Sequence, residues 1–235
     1  MAIKLIWHGH GTWSIHTEQH KLLLDPFFTN NPSADCTAEE VEADVILLSH
    51  GHMDHVGDRG DGTFDVVEIA KRTGAQVLTN FELANWLQGQ GVENVVGMNL
   101  GGTYRGDFGA AKMVVAHHSS SLPDGSYAGN PAGFVLTLAG RKIYFACDTA
   151  LFSDMRLIGE LGIDLAVIPI GDLFTMGIED SIAAIKLINP SQVAPAHYGT
   201  WPPIEQDAQG WAAKVRNSTG ATPHVLQPGG SISLS

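Results

Sequence analysis

Val45-Ile46-Leu47-Leu48-Ser49-His50-Gly51-His52-Met53-Asp54-His55 is the stretch from which the rest of the chain is read. Its first four residues form a continuous apolar run, the pattern of a strand covered on both faces. Its last six hold four side chains of metal-ligand type, His50, His52, Asp54 and His55. Alternate residues of an extended segment share a face, so His50 and His52 project together. Gly51 between them lets the backbone pass close by. Asp54 and His55 fall where the chain must turn, so one ion cannot take all four groups, whereas two ions about 3.5–4 Å apart would use them. Neutral imidazole and carboxylate suit zinc, and iron, manganese or nickel accept the same donors.

Other segments end in the same way. A strand predicted over 112–116 runs into His117-His118, one over 142–146 into Cys147-Asp148, and one over 192–196 into His197. Ligand sites on α/β sheets favour the carboxyl ends of strands, so four such endings point to one edge. Further strands are expected over 3–8, 13–16, 21–24, 76–79, 133–138 and 165–170, with closing β-rich segments at 224–227 and 231–234. Helices are expected over 64–72, 82–88, 153–161, 178–188 and 206–216, the fourth stopped by Asn189-Pro190. The mixture predicts an α/β layered fold, sheets covered by helices, without a clear internal repeat. Loops 28–38 and 119–131, rich in Asn, Pro, Ser and Gly, read as functional loops.

Composition sets the outer limits. The chain has 235 residues, 44% hydrophobic and 16% charged, below the ~25% charged of typical soluble domains, so a sizeable core is expected in one domain spanning 1–235. The 25 acidic residues against 13 basic ones give a net charge of −12, which repels phosphate backbones and argues against a nucleic-acid partner. No apolar run approaches the roughly 18 residues of a membrane span. Cys36 and Cys147 form no CxxC, and the amino-terminal stretch does not read as a signal segment, so a cytoplasmic location is expected. Eleven histidines are the unusual count.

At this point the chain resembles the metallo-β-lactamase superfamily, in particular its bacterial metal-dependent hydrolase branch related to ascorbate-6-phosphate lactonases. The resemblance lies in Gly9-His10-Gly11, Leu24-Asp25-Pro26-Phe27, Asn31-Pro32, Ser49 to His55, Ala116-His117-His118-Ser119-Ser120, Phe145 to Thr149, Pro169 to Gly177 and Pro195 to Thr200. It implies a four-layer αββα sandwich and two divalent metal ions. His50, His52 and His118 would hold one ion, Asp54, His55 and His197 the other, and Asp148 would bridge them. His118 is preferred to His117 because the family's third histidine directly precedes the Ser-Ser pair and because neighbours on a strand end face opposite ways. The resemblance further implies hydrolysis by a metal-activated hydroxide, with Asp54 orienting the nucleophile and shuttling its proton. The expected substrate is a small, anionic ester, lactone or phosphodiester. Homo-oligomers among the lactonase relatives imply self-association. Asp25 would brace the His-rich loop, and His10, Tyr127, Asp172, Thr175 and Tyr198 would line the pocket.

Plainer readings stand beside these. His197 alone would read as a satisfied buried histidine, Asp148 as a helix cap, Asp25 as a turn carboxylate before Pro26. His8, His16, His20 and His224 read as ordinary strand or surface residues, and Cys147 as a core side chain. Ser119 to Ser121 lack a G-x-S-x-G elbow, so a serine nucleophile is not expected. Two other functions share the scaffold: a di-iron redox protein, against which the intact HxHxDH stretch argues, and a non-catalytic metal-binding protein.

Overall fold

The computed structural model describes residues 2–235. The first half of the chain forms β1 (Ile3–Trp7), β2 (Trp13–His16), β3 (Lys21–Leu24), β4 (Val45–Leu47), α1 (Met53–Val56), α2 (Asp65–Thr73), β5 (Gln76–Asn80), α3 (Phe81–Gly89) and β6 (Val95–Met98). The second forms β7 (Thr103–Gly106), β8 (Gly109–Val115), β9 (Ala132–Leu138), β10 (Arg141–Phe145), α4 (Met155–Gly159), β11 (Leu165–Pro169), α5 (Ile178–Ile188), β12 (Gln192–Ala196), α6 (Ala208–Ser218), β13 (Thr222–Pro223) and β14 (Ser231–Leu234).

The strands build two seven-stranded sheets, ordered β14-β1-β2-β3-β4-β5-β6 and β13-β12-β11-β10-β9-β8-β7. Each is antiparallel at one side and parallel at the other. In the first, β1, β2 and β3 run antiparallel, and β3 to β6 run parallel. In the second, β7 to β10 run antiparallel, and β10 to β13 run parallel. Both halves are thus a meander followed by parallel strands, joined by helical crossovers except for the loop between β3 and β4, a repeat of topology that the residues themselves do not display.

Strand alternation assigns the layers. In β10, Ile143 and Phe145 enter the core between the sheets, while Tyr144 enters the core under the helices. In β4, Val45 and Leu47 face the inter-sheet core, while Ile46 and the following Leu48 face the other way. Three cores result: one between the sheets, one joining the first sheet to α2 and α3, and one joining the second sheet to α4, α5 and α6. This is the four-layer αββα sandwich. With helices on the outer faces, the parallel strands are apolar on both sides, which is why they read as unbroken apolar runs.

Several boundaries differ from the sequence reading. β6 and β7 were not expected: Val95–Met98 is only partly buried and broken by Gly97, so its apolar signal is weak. The segment 224–227 is not a strand; pairing with β12 is carried by Thr222–Pro223 instead. The helices expected over 153–161 and 206–216 are Met155–Gly159 and Ala208–Ser218, the latter begun by Asp207, whose side chain accepts from Gly210 N–H. His8 is buried between Asp35 and Ser14 rather than an ordinary strand or surface residue.

Phe145 is fully buried between the sheets and meets the edge of the Trp13 ring. Phe145→Ala should lower unfolding stability by about 3–5 kcal/mol through lost burial and the cavity left behind. Urea titration measures this, and a loss under about 1 kcal/mol would show that the two sheets do not share one tightly packed interior.

Candidate metal centre

Both sheets deliver their polar residues to one edge. β3 leads into Asp25, β4 into Ser49 and His50, β8 into His118, β10 into Asp148, and β12 into His197. The loop after β1 adds His10. After His52 the backbone turns into α1, so Asp54 and His55 lie on a single helical turn instead of an irregular loop.

A chain of hydrogen bonds fixes the imidazoles. Asp25 Oδ1 accepts from Ser49 N–H at 2.7 Å, and Asp25 Oδ2 accepts from Ser49 Oγ at 2.6 Å. The Ser49 hydroxyl has then spent its proton, so His50 Nδ1–H donates to Ser49 Oγ at 2.9 Å. Asp25 Oδ2 also accepts from His55 Nδ1–H at 2.9 Å. Both imidazoles are thereby set with Nε2 free to act as a ligand.

The free nitrogens and carboxylates converge. His50 Nε2 and His118 Nε2 lie 3.0 and 3.3 Å from His52 Nδ1. Asp148 Oδ2 lies 3.0 Å from His197 Nε2, 3.4 Å from His55 Nε2, 3.5 Å from His118 Nε2 and 4.0 Å from His50 Nε2. Asp54 Oδ2 lies 3.6 Å from His197 Nε2. Two groups form: His50, His52 and His118 on one side, His10, Asp54, His55 and His197 on the other. Asp148 stands between them, within 4.0 Å of members of both.

His10 closes the second group from behind. Its ring is fully buried, and Nε2–H donates to Asp54 Oδ2 at 2.9 Å while Nδ1 accepts from Thr200 Oγ1 at 2.8 Å. Burial first, and then His197, push its pKa down to about 4, so the neutral ring with this tautomer is the stable form.

The electrostatics call for a cation. Burial opposes ionisation of Asp148, but His197 and His55 outweigh it and hold the carboxyl well below its usual range. Asp54 is held low against burial by His55 and His10. Conversely, burial lowers His55, yet Asp148, Asp25 and Asp54 outweigh it and raise its pKa well above normal. His197 is raised to about 9, with burial again overcome by Asp148. His50, His52 and His118 are lowered chiefly by burial and stay neutral. His55 Nε2 and His197 Nε2 are buried and face the Asp148 carboxylate at 3.4 and 3.0 Å, out of line for a hydrogen bond. Buried polar nitrogens of this kind are costly unless something coordinates them. The donor set therefore fits divalent metal ions.

Strain marks the same edge. His10, Asp25, Cys147 and His197 have φ of 52°, 43°, 53° and 53°, a left-handed conformation that costs non-glycine residues about 1–3 kcal/mol each. Each follows or ends a strand at the cluster. Gly51 is required for a different reason: a Cβ there would stand 2.4 Å from Ala128 Cβ, so a side chain would displace loop 119–131.

Residues 20–198 match the Beta-lactamase superfamily domain. A UPF0173 metal-dependent hydrolase of Thermus thermophilus is 46% identical over 232 residues, covering 99% of both chains. One from Bacillus cereus is 48% identical over 238 residues, covering 99% of this chain and all of its own. The chain belongs to the β-lactamase superfamily and to its UPF0173 metal-dependent hydrolases. Igni18, a metallo hydrolase from Ignicoccus hospitalis, superposes with a TM-score of 0.89 at 32% identity, covering 100% of this chain and 99% of its own.

Within this β-lactamase superfamily chain, the other site candidates fall in different places. His117 is exposed and stacks on Phe152, facing away from His118. Asp25 is at the centre, as described. Tyr127 is 67% exposed on loop 119–131 and does not line the cavity over the cluster. Asp172 is exposed beside Gly177, Thr175 is buried with its hydroxyl on Met176 O, and Tyr198 stacks on Trp7 at 5.3 Å; none lines that cavity. Met53, Phe174 and Trp201, to which the sequence assigned no role, do line it, as does Ser119 of the loop 119–131 read as functional. Their signal was available only as apolar or hydroxyl side chains interrupting the ligand-bearing loops. Ser120 Oγ instead accepts from Gly51 N–H and donates to Ala128 O, which pins loop 119–131 to the HxHxDH turn.

Asp25→Asn should weaken metal binding about 10- to 100-fold, because His55 loses the carboxylate that sets its tautomer. Chelator competition reads the affinity, and circular dichroism checks that the fold persists; unchanged affinity in a folded variant would deny Asp25 this role.

Proposed function

We propose that this chain is a binuclear metal-dependent hydrolase that cleaves an ester, lactone or phosphodiester bond of a small molecule, working as one domain over 1–235. The observation that carries the reading is the convergence of seven donors from four strand ends, with Asp148 within reach of both groups. His50, His52 and His118 would hold one cation, Asp54, His55 and His197 the other, with Asp148 shared, and zinc suits the donors best. Such a pair supplies Lewis acidity and a water of lowered pKa at neutral pH.

The chain's own groups supply the rest. Asp54 Oδ2 is held by His10 and lines the open cavity, placing a charged acceptor where an attacking water would shed its proton. Thr200 holds His10 from the far side, which fixes the orientation of the ring that donates to Asp54. Trp201 packs against His10 and Phe27 and walls the cavity on that flank. Ser119 Oγ, 3.3 Å from His52 Nε2 and lining the same cavity, offers the substrate a neutral hydroxyl. The cavity of about 320 Å³ is at the lower end of small-molecule sites and admits no folded macromolecule.

Metal analysis of zinc-reconstituted protein should find two ions per chain. In His50→Ala the content should fall to one or fewer, and hydrolysis of p-nitrophenyl esters or bis(p-nitrophenyl) phosphate should drop at least about 100-fold. Full activity in that variant, or after removal of metal by a chelator, would overturn the mechanism.

A further inference from the structure

We propose that the substrate presents an uncharged, apolar arm to this site, as an aliphatic or aromatic carboxylic ester or lactone does, and that phosphodiesters and other anions are poor substrates. The proposal rests on the hydrolase reading and assigns it a substrate class. It departs from the anionic substrate expected from the sequence, and the lining of the cavity is the reason.

The cavity has two poles. Its floor is polar, formed by His52, Asp54, His118, Asp148 and His197. Its mouth is largely apolar: Met53 and Phe174 are exposed there beside half-buried Trp201, and the Ser119 hydroxyl is its one polar group. Met53 and Phe174 are 57% and 55% exposed, and of the chain's large exposed apolar side chains these two are the ones that line the cavity over the ligand cluster. Neither exposure is accidental. Met53 lies between the ligand-type residues His52 and Asp54 on α1, so fixing those two inward leaves Met53 at the rim. Phe174 sits on the tip of the loop between β11 and α5. That loop is anchored by buried Met176, whose N–H donates to Thr149 O and whose carbonyl accepts from Asp172 N–H. Its left-handed turn at Asp172, φ 71°, holds Leu173 and Phe174 outward, 65% and 55% exposed. The tip is a pinned apolar projection beside the ligand cluster.

Among the described residues, no lysine or arginine lines the cavity. Sites that recognise phosphate or carboxylate groups ordinarily present a guanidinium, an ammonium or a helix N-terminus to them. Asp25, buried within 2.9 Å of His55, adds a third carboxylate to Asp54 and Asp148. Three carboxylates take up most of the positive charge that two dications bring, so the surplus that would draw an anion is small. A thioether and an aromatic ring that adapt to aliphatic or aromatic groups face the place where an acyl chain or leaving group would lie.

The test uses zinc-loaded protein and p-nitrophenyl acetate, butyrate and hexanoate against bis(p-nitrophenyl) phosphate. The expected result is a rise in kcat/KM from acetate to hexanoate of at least about 10-fold, a fraction of the ~4-fold per methylene that complete burial would give, with the phosphodiester slower than every ester. In Phe174→Ser and Met53→Ser the hexanoate-to-acetate ratio should fall to about 3 or less. A flat series in active protein, or faster turnover of the phosphodiester, would overturn the proposal. So would a variant that keeps the ratio while shifting the oligomeric state in gel filtration, which would make the tip a contact between copies of the chain. Binding of acetohydroxamate and octanohydroxamate, measured by calorimetry, separates the two claims. Tighter octanohydroxamate binding that is lost in Phe174→Ser, without turnover of any ester or of the phosphodiester, would uphold the apolar subsite and sink the hydrolase reading. Equal binding of the two would sink the subsite whatever the turnover.

Discussion

A single buried carboxylate ties the polar edge to the fold. Asp25 follows β3, adopts a left-handed backbone, and receives three hydrogen bonds from two residues: Ser49, just after β4, through its N–H and hydroxyl, and His55, on α1, through Nδ1. The parallel pairing of β3 with β4 brings these groups side by side. Through Ser49 the same carboxylate sets the tautomer of His50. Two imidazoles, one from each half of the donor cluster, are therefore aimed by one acid. Charge-assisted hydrogen bonds in a dry interior are strong and directional, so the aim is fixed before any cation arrives.

The sandwich makes this convergence possible because both sheets end on the same edge. Each sheet turns from antiparallel to parallel at its centre, and the parallel strands β4, β10 and β12 all deliver their carboxyl ends there. The inter-sheet core holds the two sets of ends at a constant separation, and close packing gives that separation little freedom. Strained backbone at His10, Asp25, Cys147 and His197 is the local cost of turning each chain sharply off its strand, offset by the burial around it.

The site is electrically unlike the surface. The chain as a whole carries −12, yet the edge concentrates buried carboxylates and imidazoles into a trap for cations, with an apolar rim above it. Long-range charge repels anions from the molecule, and the rim offers them no compensating cation. One cavity thus carries two kinds of surface: nitrogen and oxygen donors from His52, Asp54, His118, Asp148 and His197, and the apolar side chains of Met53, Phe174 and Trp201.

Residue type and short-range pattern already determined much of this. The run from Val45 to Leu48 announced a doubly covered strand, and the spacing of His50, His52, Asp54 and His55 marked them as side chains of metal-ligand type that could share one site. His118, Asp148 and His197 were readable because each follows a β-rich segment, and strand period and strand end are local properties. Only the folded chain decided which partners meet. His10 reaches Thr200 across 190 residues, and Asp25 reaches His55 across 30. Pocket roles expected for Tyr127, Asp172, Thr175 and Tyr198 went instead to Met53, Ser119, Phe174 and Trp201. The reason is physical. Alternation tells which face of a strand a side chain takes, but the direction of a loop residue depends on left-handed turns at non-glycine positions and on the neighbour it packs against. Those are settled by tertiary contacts, not by the residue's own preference.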